Sequence, residues 1–247
     1  MTQQWVEQCN HWKTKWPVAA EQPKQDSNQT YKLNLYDVLS AVNTYSTADT
    51  TLMGDAGSIS YAGPTALNMK SGQRLVFSPA QADMGWALPA SIGVAIASKR
   101  PVIAIIGDGS FMTNLQELAV VRQHDLNIKF IILNNDGYLS IKNTQNKYFE
   151  GRVYGTSSET GLWFPPFKSV ADTFRMGYAH LRTQRDIDTQ FEQLLASPEP
   201  MIIDCFCRDD QEILPSQALK DGKQAGLHDM APFMSDAELA DEMIAKI

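Results

Sequence analysis

Apolar positions along the chain follow two alternating patterns. Short runs rich in β-branched and other apolar residues occur at Thr51–Met53, Leu75–Phe77, Val102–Ile106, Lys129–Leu133 and Met201–Phe206, and several end in Gly, Asn or Asp. Between them lie longer stretches with helical spacing: Leu35–Tyr45, Trp86–Ser98, Phe111–Gln123, Phe167–Met176 and Ile187–Leu195. Continuous runs such as Val102–Ile106 suit strands covered on both faces. Strands that alternate with helices predict an α/β fold, with an open, mostly parallel sheet and helices on both faces. Residues 1–30 are polar, with a breaker at Pro23, and read as an arm or linker. Residues 31–208 carry the alternation and form the domain. Residues 209–247, punctuated by Pro215, Gly222, Gly226 and Pro232, form a tail that ends in a short acidic helix near Asp236–Ile244. In an open α/β sheet, ligands sit at the carboxyl ends of the strands.

Composition narrows the classes. A chain of 247 residues suits one large domain with arms, and 43% hydrophobic with 20% charged residues is ordinary for a globular protein. The formal charge of −7 means that neither nucleic acid nor an anionic membrane is an expected partner. Any bound polyanion must be gripped locally. Cys9, Cys205 and Cys207 are too few for a disulfide framework, a zinc site or an iron–sulfur cluster, which fits a reducing cytoplasm. The stretch from Met1 to Pro17 has no apolar core of signal-peptide length, and Trp86–Ser98 is broken by Pro89 and Gly93 and falls short of the ~20 residues of a membrane span. A cytoplasmic location is expected.

Two strand ends carry residues that bind anions and cations together. Val102–Ile106 runs straight into Gly107-Asp108-Gly109-Ser110, and a helical pattern follows from Phe111. The glycines let backbone approach a ligand closely, a helix N-terminus offers N–H groups to an anion, and Asp108 adds a hard oxygen at the same point. A carboxylate beside a phosphate cradle needs a cation between them. The next strand ends in Asn134-Asn135-Asp136-Gly137, so a second set of oxygen donors reaches the same edge. Asp108 and Asn135, 27 residues apart, can close on one Mg²⁺ whose other sites are diphosphate oxygens and water. Each segment taken singly is also an ordinary turn sequence.

This succession of Gly-Asp-Gly-Ser, helix, apolar strand and Asn-Asn resembles the thiamine-diphosphate motif of the acetolactate synthase and pyruvate decarboxylase superfamily. The likeness covers nearly the whole chain, but only the C-terminal, diphosphate-binding domain of the usual three. It implies Asp108, the Asn135 side chain and the Gly137 carbonyl as ligands of Mg²⁺, with Gly107, Gly109 and Ser110 at the diphosphate of thiamine diphosphate. Ala82-Asp83-Met84-Gly85 resembles the segment that cradles the aminopyrimidine ring. There Met84 would be the apolar wedge behind the bent cofactor, and the backbone of Ala82 and Met84 would bond the ring edge. Gly54-Asp55-Ala56-Gly57-Ser58 resembles the other diphosphate-side loop, which implies Gly57 and Ser58 as cofactor contacts.

In this family the glutamate that activates the cofactor lies on a separate pyrimidine-binding domain, so no catalytic residue of that kind is expected in this chain. The resemblance thus implies one subunit of a split enzyme. Its partner chain would carry the pyrimidine-binding domain, in a hetero-oligomer such as a dimer of heterodimers. Decarboxylase-like members carry a glutamate six residues after the ligand Asn, where Ile141 stands here, and the synthases place a tryptophan nine residues after it, where Thr144 stands. Ser140, Ile141 and Thr144 are the expected wall of the substrate pocket. The implied activity is acetolactate synthase-like carboligation, in which a 2-oxo acid is decarboxylated and its acyl unit is passed to an acceptor carbonyl. Two alternatives stand beside it: a two-subunit decarboxylase of the sulfopyruvate or phosphonopyruvate type, and a non-catalytic regulatory or scaffolding subunit.

Overall fold

The computed structural model describes residues 2–17, 32–214, 219–220, 223–229 and 234–243. Of the expected arm, residues 18–30 lie outside the described residues, as do residues 215–218, 221–222, 230–233 and 244–247 of the expected tail. Two compact units are present: Lys24–Gln211, and a smaller one that combines Met1–Pro23 with Glu212–Ile247. In the smaller unit the N-terminal polar stretch forms a helix, α1 (Gln3–Lys15), started by the Thr2 side chain, which accepts from the Trp5 amide.

The larger unit opens with α2 (Leu35–Tyr45), capped by Asn34. Its sheet contains β1 (Thr51–Gly54), β2 (Arg74–Val76), β3 (Val102–Gly107), β4 (Ile128–Asn134), β5 (Gly177–Leu181) and β6 (Met201–Phe206), all parallel, in the order β2-β1-β3-β4-β6-β5. Five of these strands lie where the apolar runs predict. The sixth, β5, is an edge strand in which only Leu181 is buried, so it needs no continuous apolar run and shows none. Between the strands run α3 (Ser58–Ala66), α4 (Ala87–Ser98), α5 (Asp108–Phe111), α6 (Leu118–Gln123), α7 (Leu139–Tyr148), α8 (Phe167–Phe174) and α9 (Gln184–Ala196).

Strand side chains alternate between the faces of the sheet. Ala104, Ile106, Phe130, Ile132 and Ile202 pack with Leu88, Ile92, Leu118, Phe167 and Val170 from α4, α6 and α8. Ile103, Ile105, Ile131 and Ile203 point to the other face and are also buried. With both faces covered, burial of these aliphatic side chains stabilises the fold by about 1.5–3 kcal/mol each.

Two expected helices differ from the structure. Phe111–Gln123 is not one helix: a 3₁₀ segment over Met112–Glu117 separates α5 from α6, and Asn114 leaves helical geometry at φ −133°. The cause is tertiary, because the Asn114 carboxamide donates to the Gly85 carbonyl at 3.0 Å. The helix expected over Phe167–Met176 stops at Phe174, where Arg175 turns into the left-handed region. At the chain's end α10 (Asp236–Glu242) belongs to the smaller unit, where the Glu242 carboxylate accepts from Lys15, His11 and Trp12. No described helix is long and apolar enough to cross a membrane.

Lys129, near the start of β4 and away from the strand's carboxyl end, is 2% exposed. Its ammonium donates to the Glu199 carbonyl at 2.9 Å and to the Asn127 side chain. Burial pulls its pKa down from 10.5 to about 8, against the attraction of Glu199. Between those values the unfolded chain holds a proton that the folded chain lacks, so stability rises with pH. Urea midpoints are therefore expected to climb from about pH 8 to about pH 10 through this group, and Lys129→Met is expected to flatten that climb.

Candidate functional site

The carboxyl ends of β1, β3 and β4, with the loop after β2, enclose a cavity of about 250 Å³. It sits where the chain leaves β1 for β2 on one side and β3 on the other, the switch point at which α/β sheets bind ligands. Gly57 and Ser58 line it from the end of β1, and Ala82 and Met84 from the loop after β2. Gly107, Asp108, Gly109 and Ser110 line it from β3, and Asn135, Gly137, Ser140 and Ile141 from β4 and α7. Thr144 is not among the lining residues. It lies one turn further along α7, and its hydroxyl donates to the Ser140 carbonyl at 3.0 Å.

Asp108 is the most deeply buried charge here, with no exposed surface. One carboxylate oxygen accepts from the Gly109 amide at 2.7 Å, and the other from the amides of Asn135 at 3.0 Å and Gly137 at 2.8 Å. It thereby ties the end of β3 to the end of β4. Burial pushes its carboxyl from 3.8 up to about 7, while the three amides pull the other way. A positive charge beside it would favour the ionised form. The Asn135 side-chain oxygen is also buried and has no hydrogen-bond partner. A buried oxygen without a donor, next to a buried carboxylate, is an arrangement that a cation satisfies. Among the described residues no three His, Cys, Asp or Glu side chains are grouped to hold a metal. One carboxylate, one carboxamide and backbone carbonyls form the hard-oxygen set of a cation that also takes phosphate oxygens.

Space for such a ligand comes from glycine. Added Cβ atoms at Gly57 and Gly107 would meet nothing within 4 Å, and both positions line the cavity. Gly57 also precedes α3 without any side-chain cap, so the first N–H groups of that helix are open to an anion. The amide of Gly109, by contrast, is taken by Asp108.

Asp55 holds the loop that carries Ala82 and Met84. Its carboxylate, 3% exposed, accepts from the amides of Gly85 at 2.9 Å and Ala87 at 2.8 Å, the second being the first residue of α4. The Thr113 hydroxyl donates to the carbonyls of Ser110 and Met84, which couples this loop to the end of β3. Asp55→Ala leaves three buried amides, those of Ala56, Gly85 and Ala87, without this acceptor. The expected cost is about 2 kcal/mol, read as a lower urea midpoint. The positioning roles of Asp55, Thr113 and Asn114 are not visible in the sequence, because their partners lie about 30 residues away.

At the mouth of the cavity three apolar side chains face outward: Tyr61 is 62% exposed, Met84 38% and Ile141 46%.

Residues 55–205 match the family described as thiamine pyrophosphate enzyme, C-terminal TPP binding domain. Over 215 residues the chain is 27% identical to the acetolactate synthase large subunit of Cyanidium caldarium, covering 87% of this chain and 35% of that one. It is 32% identical over 136 residues to an acetolactate synthase of Arthrospira platensis, covering 55% of this chain and 23% of that one. A mitochondrial acetolactate synthase of Schizosaccharomyces pombe is 30% identical over 142 residues, with 57% and 21% covered. The chain spans 35% or less of the length of these relatives.

Proposed function

The chain belongs to the thiamine pyrophosphate enzyme family, whose C-terminal TPP-binding domain it carries, and on that premise we propose that it holds thiamine diphosphate and Mg²⁺ for an acetolactate synthase-like carboligation. The observation that carries this reading is the buried, unpartnered oxygen of Asn135 beside the buried carboxylate of Asp108. Asp108, the Asn135 side chain and the Gly137 carbonyl would hold the metal. Gly57, Ser58, Gly107, Gly109 and Ser110 would face the diphosphate, with the open N-terminus of α3 adding positive potential. Ala82 and Met84 would support the aminopyrimidine ring, and Ser140 and Ile141 would form part of the substrate wall. Thiamine diphosphate held there would supply the nucleophilic carbon needed for decarboxylation of a 2-oxo acid and transfer of its acyl unit to an acceptor carbonyl. This chain binds, orients and neutralises charge.

The exposed apolar rim of Tyr61, Met84 and Ile141 supports a partner subunit that covers the cavity. We take that partner to carry the pyrimidine-binding domain with its glutamate, in a hetero-oligomer. The test is co-expression with such a subunit, followed by product identification from pyruvate with thiamine diphosphate and Mg²⁺. An acetohydroxy acid or acyloin is expected, and the chain alone is expected to turn nothing over. A free aldehyde would replace this reading with a decarboxylase, and a complex without turnover would favour a scaffolding subunit.

A further inference from the structure

Behind the strand end that carries Asn135 lies a buried polar chain that the reading above leaves unused. Asp204, in β6 and 5% exposed, accepts from the Asn134 side-chain amide at 2.9 Å and from the Tyr178 hydroxyl at 3.0 Å. Three neighbouring strands, β4, β6 and β5, meet at this carboxylate. Burial, with Asp204 beside it, raises the Tyr178 phenol above its usual range, so it remains an O–H donor. A carboxylate inside a parallel sheet carries a desolvation cost that two donors offset only in part. The flanking core positions Ile132 and Ile202 are filled by isoleucine, the residue type that packing alone would favour.

Asp204 does one thing that an isoleucine could not do: it fixes the Asn134 carboxamide. Asn134 is also anchored through its carbonyl, which accepts from the Cys207 amide at 2.7 Å. The adjacent residue is Asn135, whose own amide is held by Asp108. The turn is therefore gripped from β3 through the backbone of Asn135 and Gly137, and from β6 through the side chain of Asn134. Held on both sides, the backbone that carries the Asn135 side chain is fixed before a cation arrives, and partners of this outer kind tune metal affinity by orienting the ligand.

We propose that Asp204, supported by Tyr178, is a positioning residue for the cation site and acts through Asn134 on the aim of the Asn135 oxygen. This inference rests on the Mg²⁺ reading given above. The test measures how thiamine diphosphate binding by the full chain depends on Mg²⁺, using calorimetric titration with melting temperature recorded in parallel. Asn134→Ala removes the tether and leaves Asp204 with Tyr178. It is expected to stay folded and to raise the half-saturating Mg²⁺ concentration at least about tenfold, as outer-shell losses do. Asp204→Leu is expected to match it. Asp204→Asn keeps the shape and an oxygen acceptor for Asn134, so it is expected to return half-saturation to within about threefold of wild type.

A folded Asn134→Ala chain with wild-type Mg²⁺ dependence overturns the proposal. So does a pair of Asp204 variants that lose melting temperature without moving that dependence. If Asp204→Leu does not fold, Asn134→Ala decides the matter alone. Absence of Mg²⁺-dependent binding in the wild-type chain instead overturns the assignment of the cation site, and this inference falls with it.

Discussion

Asp108→Ala is expected to weaken Mg²⁺-dependent thiamine diphosphate binding by more than about 100-fold, since even outer-shell losses cost about 10–100-fold. The substitution removes the one carboxylate at the cavity that faces both strand ends, and it leaves the amides of Gly109, Asn135 and Gly137 without their acceptor. Asp108→Asn is not a silent replacement. Both carboxylate oxygens accept from backbone, so an amide group on either side would meet a donor instead of an acceptor. Calorimetric titration of the folded variants with thiamine diphosphate, with and without Mg²⁺, gives the result. Unchanged affinity in Asp108→Ala would mean that the cation is held by other groups.

Gly137→Ala is expected to destabilise the chain by more than about 3 kcal/mol, measured as a loss in the free energy of unfolding in urea. Gly137 sits at φ +138°, a conformation that L side chains rarely adopt, and a Cβ there would lie 2.0 Å from the Thr156 carbonyl oxygen. That obstacle is backbone and cannot swing aside. It also belongs to the bridge between Gly137 and Ser157 that closes the turn after β4. Gly109→Ala makes the contrast, because its nearest obstacle at 2.2 Å is the Tyr138 ring, a side chain that can rotate. Gly109→Ala is therefore expected to fold, at a smaller cost. A Gly137→Ala chain as stable as the wild type would contradict the turn geometry on which the Asp108 bonds depend.

The central strands were legible because a strand buried on both faces is mostly apolar, as β3 is and as β4 is apart from Lys129 and the terminal Asn134. The same rule hides β5, whose edge position asks only Leu181 to be buried. The Asp108 and Asn135 segments were legible because each follows such a strand directly, so their placement came with the strand assignment. Asp55 was visible only as part of a loop. Its task, bonding Gly85 and Ala87, depends on how the loops after β1 and β2 approach each other. The kink at Asn114 has the same origin, since a bond to Gly85 overrides local helical preference.

The central claim is that one divalent cation bridges the ends of β3 and β4. A crystal structure of the chain, with its partner if needed, grown with Mg²⁺ and thiamine diphosphate tests this most directly. The expected result is a single Mg²⁺ bound by Asp108, the Asn135 side-chain oxygen and the Gly137 carbonyl, with diphosphate oxygens completing its shell. A cation bound elsewhere, or cofactor bound while the Asn135 oxygen still lacks a partner, would contradict it.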